Sequence, residues 1–319
     1  MKKLLALFSL MVVFILTACG QTTKTDATTT KATVEEKSEV TLTNGKEDLT
    51  VKSNPKKIVV FDLGVADTIR ELGFVDHIVG MPLKILPAYL KDLPSSIQST
   101  GSMVEPDIEA IAALEPDLII ASGRTSKYLD QLKEIAPTVI FSVDQKDYWT
   151  SVSKNIRLVA SLFGKEAKAK AEEEIKSLES SIKKIADANE KSNDKTLTLM
   201  LNEGKMSAFG ADSRFAFLYQ SLKFKATDAK IEDSRHGQEM SFEGIKEINP
   251  DTIILLNRTL AIGGDNSNAD TVLNNELFKE TNAVKNNRVI QLTSDLWYLS
   301  GGGLQSTKLM IEDIQKVLQ

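Results

Sequence analysis

Two stretches of the chain repeat one pattern: residues 108–124, "IEAIAALEPDLIIASGR", and residues 242–258, "FEGIKEINPDTIILLNR". In each, a glutamate stands seven residues before Pro-Asp, and an arginine stands eight residues after that proline. The segment before Pro-Asp has the apolar spacing of a helix, and the run after it is short and continuously apolar, as in a buried strand. The repeat therefore predicts the same helix–strand unit in two halves of the fold, each followed by an arginine.

Helix-like and strand-like segments alternate around both copies. In the first half we predict strands at 56–62, 77–81, 117–121 and 138–142, and helices at 65–74, 107–114 and 126–135. In the second half we predict strands at 196–202, 251–257 and 288–292, and helices at 213–224, 241–248, 268–280 and 304–319. This alternation is typical of α/β domains with a mainly parallel sheet. Before them, residues 40–51 alternate around Asn44-Gly45, a hairpin signal.

The segment 148–189 is built almost entirely of helix formers, with one pause at Gly164. Its apolar residues form a single stripe, which suits either a coiled-coil arm or a connecting helix packed along the protein. We favour the packed helix, because the stripe is too short for a stable solitary coil. The expected fold is α/β: lobes at 41–146 and 191–319, with mainly parallel sheets, joined by a single long backbone helix at 147–190.

The N-terminus has the features of an export signal. Two lysines precede a largely apolar run from Leu4 to Leu16, which is too short to span a bilayer but suits a signal peptide over residues 1–18. Small residues precede Cys19, as at a bacterial lipidation site, although an ordinary signal peptide that contains a cysteine is the alternative. Residues 19–40 are rich in Thr, Lys and Ala and predict a flexible tether. We expect a protein lipid-anchored to the outer face of the cell membrane through Cys19.

Composition excludes several classes of function. Cys19 is the only cysteine, so disulfides, a thiolate nucleophile and a cysteine metal site are not expected. The net charge is −5 and becomes more negative once Lys2 and Lys3 leave with the signal, which argues against a nucleic-acid partner. No G-x-S-x-G, H-E-x-x-H, G-x-G-x-x-G or P-loop motif is present, and there are two histidines. We therefore expect a monomeric binding protein, with no enzymatic activity and no intrinsic cofactor.

The remaining candidates for chemistry are loop residues. Arg124 and Arg258 follow predicted parallel strands, and the carboxyl ends of such strands are where ligands bind. Arg214 opens the helix after the first strand of the second half, so all three arginines can line one cleft as an anion site. His236 and Tyr298 lie in loops of the second half. The glycines 301–303 can cradle an anion at the last helix or form a plain loop.

The chain resembles the siderophore-binding lipoproteins of iron-uptake ABC transporters, in particular the catecholate, petrobactin-type branch of the long-helix class III substrate-binding proteins. The resemblance is carried by "NPKKIVVFDLGVADTIRELG", "GSMVEPDIEAIAALEPDLIIASGR", "SAFGADSRF", "HGQEMSFEGI", "INPDTIILLNR" and "LWYLSGGGLQS". It implies that a ferric catecholate siderophore is the ligand and that three arginines bind it. By motif position these are Arg124, Arg214 and Arg258.

The resemblance also implies a place for iron and for the transporter. In members that bind tetradentate complexes, a histidine and a tyrosine fill the open iron positions, and His236 and Tyr298 match them. Fe(III) is a hard acid for which phenolate oxygen and imidazole nitrogen are suitable ligands. Arg235, directly before His236, departs from the pattern and puts ligation by His236 in doubt.

Glu109 and Glu243, at equivalent places in the repeat, match the glutamates that dock on the two ABC permease subunits. The alternative for both is an exposed helix residue without a partner.

Two other functions stay open at this stage. A haem or corrinoid receptor of the same fold needs a flatter, more aromatic cleft and has little use for three arginines. An extracellular siderophore esterase needs a nucleophile constellation, which the motifs do not supply.

Overall fold

The structure of the chain, a computed structural model, describes residues 38–43, 48–232, 234, 236–265 and 267–318. The predicted signal peptide, Cys19, nearly all of the tether, the Asn44-Gly45 turn and Arg235 lie outside the described residues. Strands β1 (Glu39–Thr43) and β2 (Asp48–Lys52) pair antiparallel, with Thr43 opposite Asp48, as the alternating pattern predicts.

The first half forms a five-stranded parallel sheet. Its strands are β3 (Ile58–Val60), β4 (Ile78–Met81), β5 (Gln98–Ser99), β6 (Leu118–Ala121) and β7 (Thr138–Ile140), in the order β5-β4-β3-β6-β7. Its helices are α1 (Leu63–Leu72), α2 (Ile108–Ala113) and α3 (Leu129–Ile135). The strand residues of β3 and β6 are fully buried, which is why they read as continuous apolar runs.

The connecting segment folds as two helices rather than the predicted one. Helix α4 (Tyr148–Ser161) is followed by α5 (Gly164–Lys191), and the break falls at Gly164, whose φ of 88° lies in the left-handed region and cannot continue a helix. The two helices run antiparallel, since Arg157 pairs with Glu172 at 2.7 Å and Trp149 Nε1 lies 3.4 Å from Glu179 Oε1. The single long helix of the fold is α5.

Helix α5 is a packed helix and not a free arm. The residues of its apolar stripe are buried: Ala167, Ala171, Ile175, Leu178, Ile182 and Ile185. They belong to a buried cluster that includes Ile120 of the first sheet and Ile254 of the second half. The long helix and strands of both halves therefore share one buried apolar cluster.

The second half forms a six-stranded mixed sheet. Its strands are β8 (Lys195–Asn202), β9 (Lys205–Phe209), β10 (Lys225–Ala226), β11 (Gln238–Glu239), β12 (Thr252–Asn257) and β13 (Val289–Gln291), in the order β11-β9-β8-β12-β13 with β10 also on β8. Strands β8, β12 and β13 are parallel. Strand β9 was not predicted: it returns antiparallel to β8 through Glu203 and Gly204, which both have positive φ.

The helices of the second half are α6 (Phe242–Ile248), α7 (Arg258–Ala261), α8 (Ser267–Leu273), α9 (Glu276–Lys279), α10 (Asn282–Lys285), α11 (Ser294–Leu299) and α12 (Leu304–Leu318). The predicted helix at 268–280 is two short helices, because Asn275 caps α9. The predicted helix at 213–224 forms only in part, as a π-helical turn at Phe217–Ser221. Helix α12 packs on α1 and α5.

The expected fold class is confirmed, with two α/β halves, mainly parallel sheets and one long helix. The exact lobe boundaries, 41–146 and 191–319, stay a prediction. Within the described ranges, none of the helices has the length and apolar character needed to cross a membrane.

Candidate functional site

A cleft of about 750 Å³ lies at the carboxyl ends of the strands. Its walls come from both halves of the chain. The lining residues of the first half are Phe61, Asp62, Leu63, Met103, Ser122, Gly123, Arg124 and Gln145, and those of the second half are Asp212, Ser213, Arg214, Ser234, His236, Tyr298, Leu299 and Gly301. This is the volume range and the topological position of a small-molecule site.

Arg124 is held at the end of β6 by a tight turn. Thr125, fully buried, accepts a hydrogen bond from the Ser122 backbone N–H at 3.0 Å and donates to the Ser122 carbonyl at 3.1 Å. The Arg124 N–H donates to Ser122 Oγ at 3.2 Å. The turn therefore presents the Arg124 side chain to the cleft with little backbone freedom.

Arg258 occupies the equivalent place after β12, as the repeat predicts. Asn257 caps the short helix α7, and its side chain accepts from the Leu260 N–H. The guanidinium donates from Nη1 to Asn202 Oδ1 at 2.6 Å and from Nε to the Tyr298 hydroxyl at 2.8 Å. Arg258 does not line the cleft itself, and it acts on the cleft through its hydrogen bond to Tyr298, which does.

Tyr298 lies in helix α11 and not in a loop as predicted, and the three arginines converge on it. Its carbonyl oxygen accepts from Arg124 Nη2 at 2.7 Å and from Arg214 Nη2 at 3.3 Å. Its ring has the guanidinium carbons of Arg214, Arg124 and Arg258 at 4.3, 5.1 and 5.5 Å from the centroid. The structure thus brings together four of the five predicted ligand-binding residues in one cluster, in cation–π range of a single phenol.

The cluster changes the pKa values of its members. Burial lowers the pKa of Arg214, and the charges of Arg124 and Arg258 lower it further, while Tyr298 acts in the opposite direction. For Tyr298, burial raises the pKa, but the hydrogen bond from Arg258 and the charges of the three arginines outweigh it, so the net shift is downward. Three cations surround a single phenol, so the cluster keeps an excess of positive charge that suits the binding of an anion.

His236, the fifth predicted residue, lies on the same cleft. It is exposed, and its backbone N–H donates to Ser234 Oγ at 3.2 Å. Gly237 follows it with a φ of 76°, and a side chain there would meet the Phe209 ring, so this turn needs glycine. Among the described residues, no three His, Cys, Asp or Glu side chains cluster as a metal site.

Glu109 and Glu243 are exposed in the first turns of α2 and α6. Neither of them lines the cleft. The repeat therefore places one glutamate of each half on the surface, away from the lining residues.

Two residues of the site were missed in the sequence. Asp62 follows β3 just as Arg124 follows β6, and the same strand-end argument, applied to "VVFD", would have found it. Asn202 at the end of β8 holds Arg258. No local sequence pattern predicts the contact between Asn202 and Arg258, because the two residues are far apart in the chain.

Two α/β halves connected by a long helix, with an arginine-lined cleft at the sheet ends, define a substrate-binding protein of the transporter type. The match of residues 58–296 to the family described as periplasmic binding protein covers most of the chain, and the chain belongs to that family.

The relatives of this chain belong to a narrower group of binding proteins, those of siderophore and iron uptake. The petrobactin-binding protein YclQ of Bacillus subtilis is 38% identical over 100% of both chains. The crystal structure of the iron uptake ABC transporter substrate-binding protein PiuA from Streptococcus pneumoniae is 62% identical, with a TM-score of 0.86 over 88% of this chain and 99% of that one. The periplasmic catecholate-siderophore binding protein VctP of Vibrio cholerae is 30% identical, with a TM-score of 0.80 over 87% and 99%.

These relatives are siderophore- and iron-uptake binding proteins and not enzymes, which confirms the resemblance stated from the sequence. The family also supports an extracytoplasmic location. In the relatives a ferric siderophore is the cargo rather than a resident cofactor.

Proposed function

We propose that this chain is a lipid-anchored receptor that captures a ferric catecholate siderophore in the cleft and delivers it to an ABC permease for iron uptake. The observation that carries the proposal is the convergence of Arg124, Arg214 and Arg258 on Tyr298 at the wall of a 750 Å³ cleft. The names of the relatives support a siderophore as the ligand.

The charge of the ligand explains the arginines. Each catechol loses two protons when it binds Fe(III), so an iron complex with two or three catecholates carries net negative charge. Guanidinium groups are suited to such oxygen-rich anions, because they donate several hydrogen bonds in a fixed plane and stay charged. Cations focused in a cleft also attract an anionic ligand from solution, although the protein as a whole is acidic.

Tyr298 and His236 are the proposed iron ligands for complexes that leave two iron positions open. The lowered pKa of Tyr298 favours the phenolate that Fe(III) prefers. His236 is exposed and lines the same cleft as Tyr298. Ligand exchange at iron is the only bond change that the proposal includes.

Transport requires contact with the membrane and the permease. Cys19 is the proposed lipidation site, and Glu109 and Glu243 are the proposed docking residues, one in each half of a monomer. Both glutamates are exposed and absent from the cleft lining, so we expect neither to contact the ligand. Exposed charge pairs set the orientation and rate of docking more than its affinity.

A ligand panel tests the proposal. Trp297 adjoins Tyr298 and is buried, with its Nε1 donating to Asp313 Oδ2 at 3.0 Å, so its fluorescence reports changes at the site. A Trp149→Phe background leaves Trp297 as the only tryptophan. We expect ferric catecholates to quench it at lower concentration than haem, vitamin B12 or the iron-free catecholates. A response to haem or vitamin B12 alone would contradict the proposal.

A further inference from the structure

Asp62 places a negative charge on the wall of a cleft that is otherwise built to receive an anion. It lies at the end of β3, is half-buried and lines the cleft together with Arg124. One carboxylate oxygen, Oδ1, accepts from the backbone N–H groups of Gly64 at 3.0 Å and Val65 at 3.1 Å. That oxygen caps helix α1, so half of the carboxylate has a structural role.

The other oxygen, Oδ2, has no such role. Among the described residues it has no hydrogen-bond donor, and no lysine or arginine forms an ion pair with Asp62. Arg124 interacts with Asp62 through long-range charge attraction and not through a hydrogen bond. Its Nη2 donates instead to the Tyr298 carbonyl oxygen. Burial raises the pKa of Asp62, and this effect outweighs the lowering by the two backbone hydrogen bonds and by the charge of Arg124.

Asp212, the other acid of the lining, is different. It is exposed, and its Oδ1 accepts from Gln220 Nε2 at 2.9 Å. Its charge is therefore screened by solvent and partly satisfied by a neighbour. Of the two acids that line the cleft among the described residues, Asp62 is the less exposed, and its Oδ2 has no donor beside the arginine cluster.

We infer that Asp62 selects ligands by charge: its free carboxylate oxygen accepts a hydrogen bond from a protonated amine of the ligand, while the arginines hold the anionic iron-chelating groups. The inference rests on the proposed function and adds a feature of the ligand to it. An anion without such an amine meets repulsion from Asp62, whereas an amine-bearing complex forms a charge-assisted hydrogen bond there. The cleft thus has an anion-binding part at the arginines and a cation-binding part at Asp62.

The variant Asp62→Asn separates this role from helix capping. Asparagine is as good a helix N-cap as aspartate, so the variant keeps the contact with Gly64 and Val65 and removes only the charge. Asp212→Asn is the matched control, because it removes the other lining charge. Circular dichroism and thermal unfolding check that both variants fold as the parent does.

The experiment compares two ferric bis-catecholates of equal denticity. One carries a secondary amine in its linker, and the other has a methylene at that position. We expect Asp62→Asn to weaken the amine complex by about tenfold, and to leave the methylene complex unchanged or bound more tightly. Asp212→Asn should change the two affinities by the same factor.

Two results would overturn the inference, and they differ in meaning. If Asp62→Asn changes both complexes by the same factor, Asp62 does not select for an amine, and the proposed function stands. If neither complex binds the parent protein, the proposed function fails, and the inference fails with it.

Discussion

Arg258 Nε lies 2.8 Å from the hydroxyl oxygen of Tyr298 and donates a hydrogen bond to it. The second arginine of the sequence repeat is therefore bonded to the phenol that lines the cleft. Its Nη1 is held by Asn202 at 2.6 Å. The guanidinium therefore orients the phenol before any ligand arrives. Preorganisation of this kind lowers the entropy that binding must otherwise offset.

The first prediction concerns the ionisation of Tyr298. Its pKa is lowered by Arg258 and the other two arginines against the effect of burial, whereas burial raises the pKa of Tyr219 to about 12 and also raises the pKa values of Tyr89 and Tyr148. The difference between the ultraviolet titrations of the parent and of Tyr298→Phe separates Tyr298 from the other four tyrosines, and it should show Tyr298 ionising before these three. Tyr298→Phe should remove that phase, and Arg258→Gln should move it to higher pH. An unchanged early phase in Tyr298→Phe would contradict the assignment.

The second prediction concerns iron ligation. The double variant His236→Ala, Tyr298→Phe should weaken tetradentate ferric complexes much more than hexadentate ones, because only the former leave positions for protein ligands. Binding titrations with one siderophore of each kind measure the ratio. Equal losses for both kinds would mean that neither residue coordinates iron.

The third prediction concerns Asp67, a fully buried residue of α1 that accepts from the backbone N–H groups of Gln305 at 3.1 Å and Ser306 at 2.9 Å. Burial raises the pKa of Asp67 to about 7, although these hydrogen bonds lower it. Between pH 3.8, the ordinary pKa of this carboxyl, and about pH 7, the folded state keeps a proton that the unfolded state has released. The contribution of Asp67 to the free energy of unfolding is thus largest below this window and is lost as the pH rises through it.

Urea unfolding at about pH 5 and about pH 8 tests the sign. The difference in unfolding free energy between the two pH values should shrink in Asp67→Asn, because Asn does not titrate. The variant should also be less stable by about 1–3 kcal/mol, since its amide nitrogen cannot accept from the N–H groups of α12. The same pH dependence in parent and variant would contradict the assigned pKa.

The fourth prediction concerns the loop that joins α11 to α12. A Cβ at Gly303 would overlap the Gly64 carbonyl oxygen and the Asp67 carboxylate, whereas a Cβ at Gly123 would have no atom within 4 Å. Gly303→Ala should therefore cost about 2–4 kcal/mol of stability, and the control Gly123→Ala less than about 0.5 kcal/mol. Thermal unfolding measures both. A stable Gly303→Ala would show that α1 and α12 separate easily.

The fifth prediction concerns docking. Glu109→Arg combined with Glu243→Arg should leave siderophore affinity unchanged and stop iron uptake in cells, because reversed charges repel the cationic residues expected on a permease. Uptake of radioactive iron and an in vitro titration measure the two effects. Normal uptake by the double variant would place the docking surface elsewhere.

Much of this arrangement follows from the order of residues along the chain. The repeat places Arg124 and Arg258 at strand ends, because parallel strands end at one edge of a sheet. The connecting segment divides at the pause that the sequence shows at Gly164, but the composition does not reveal that Gly164 adopts the positive φ that ends one helix there. The convergence on Tyr298 and the unused oxygen of Asp62 depend on tertiary distances, which no local pattern encodes.

The most direct test of the account is the affinity of one ferric catecholate for the variant in which Arg124, Arg214 and Arg258 are all glutamine. Arg157→Gln is the control, because Arg157 pairs with Glu172 between α4 and α5 and does not line the cleft. If each cleft arginine contributes about tenfold, the triple variant should bind about 1,000-fold more weakly than the parent, and the control should bind as the parent does. An unchanged affinity in the triple variant would contradict the claim that these arginines hold the ligand.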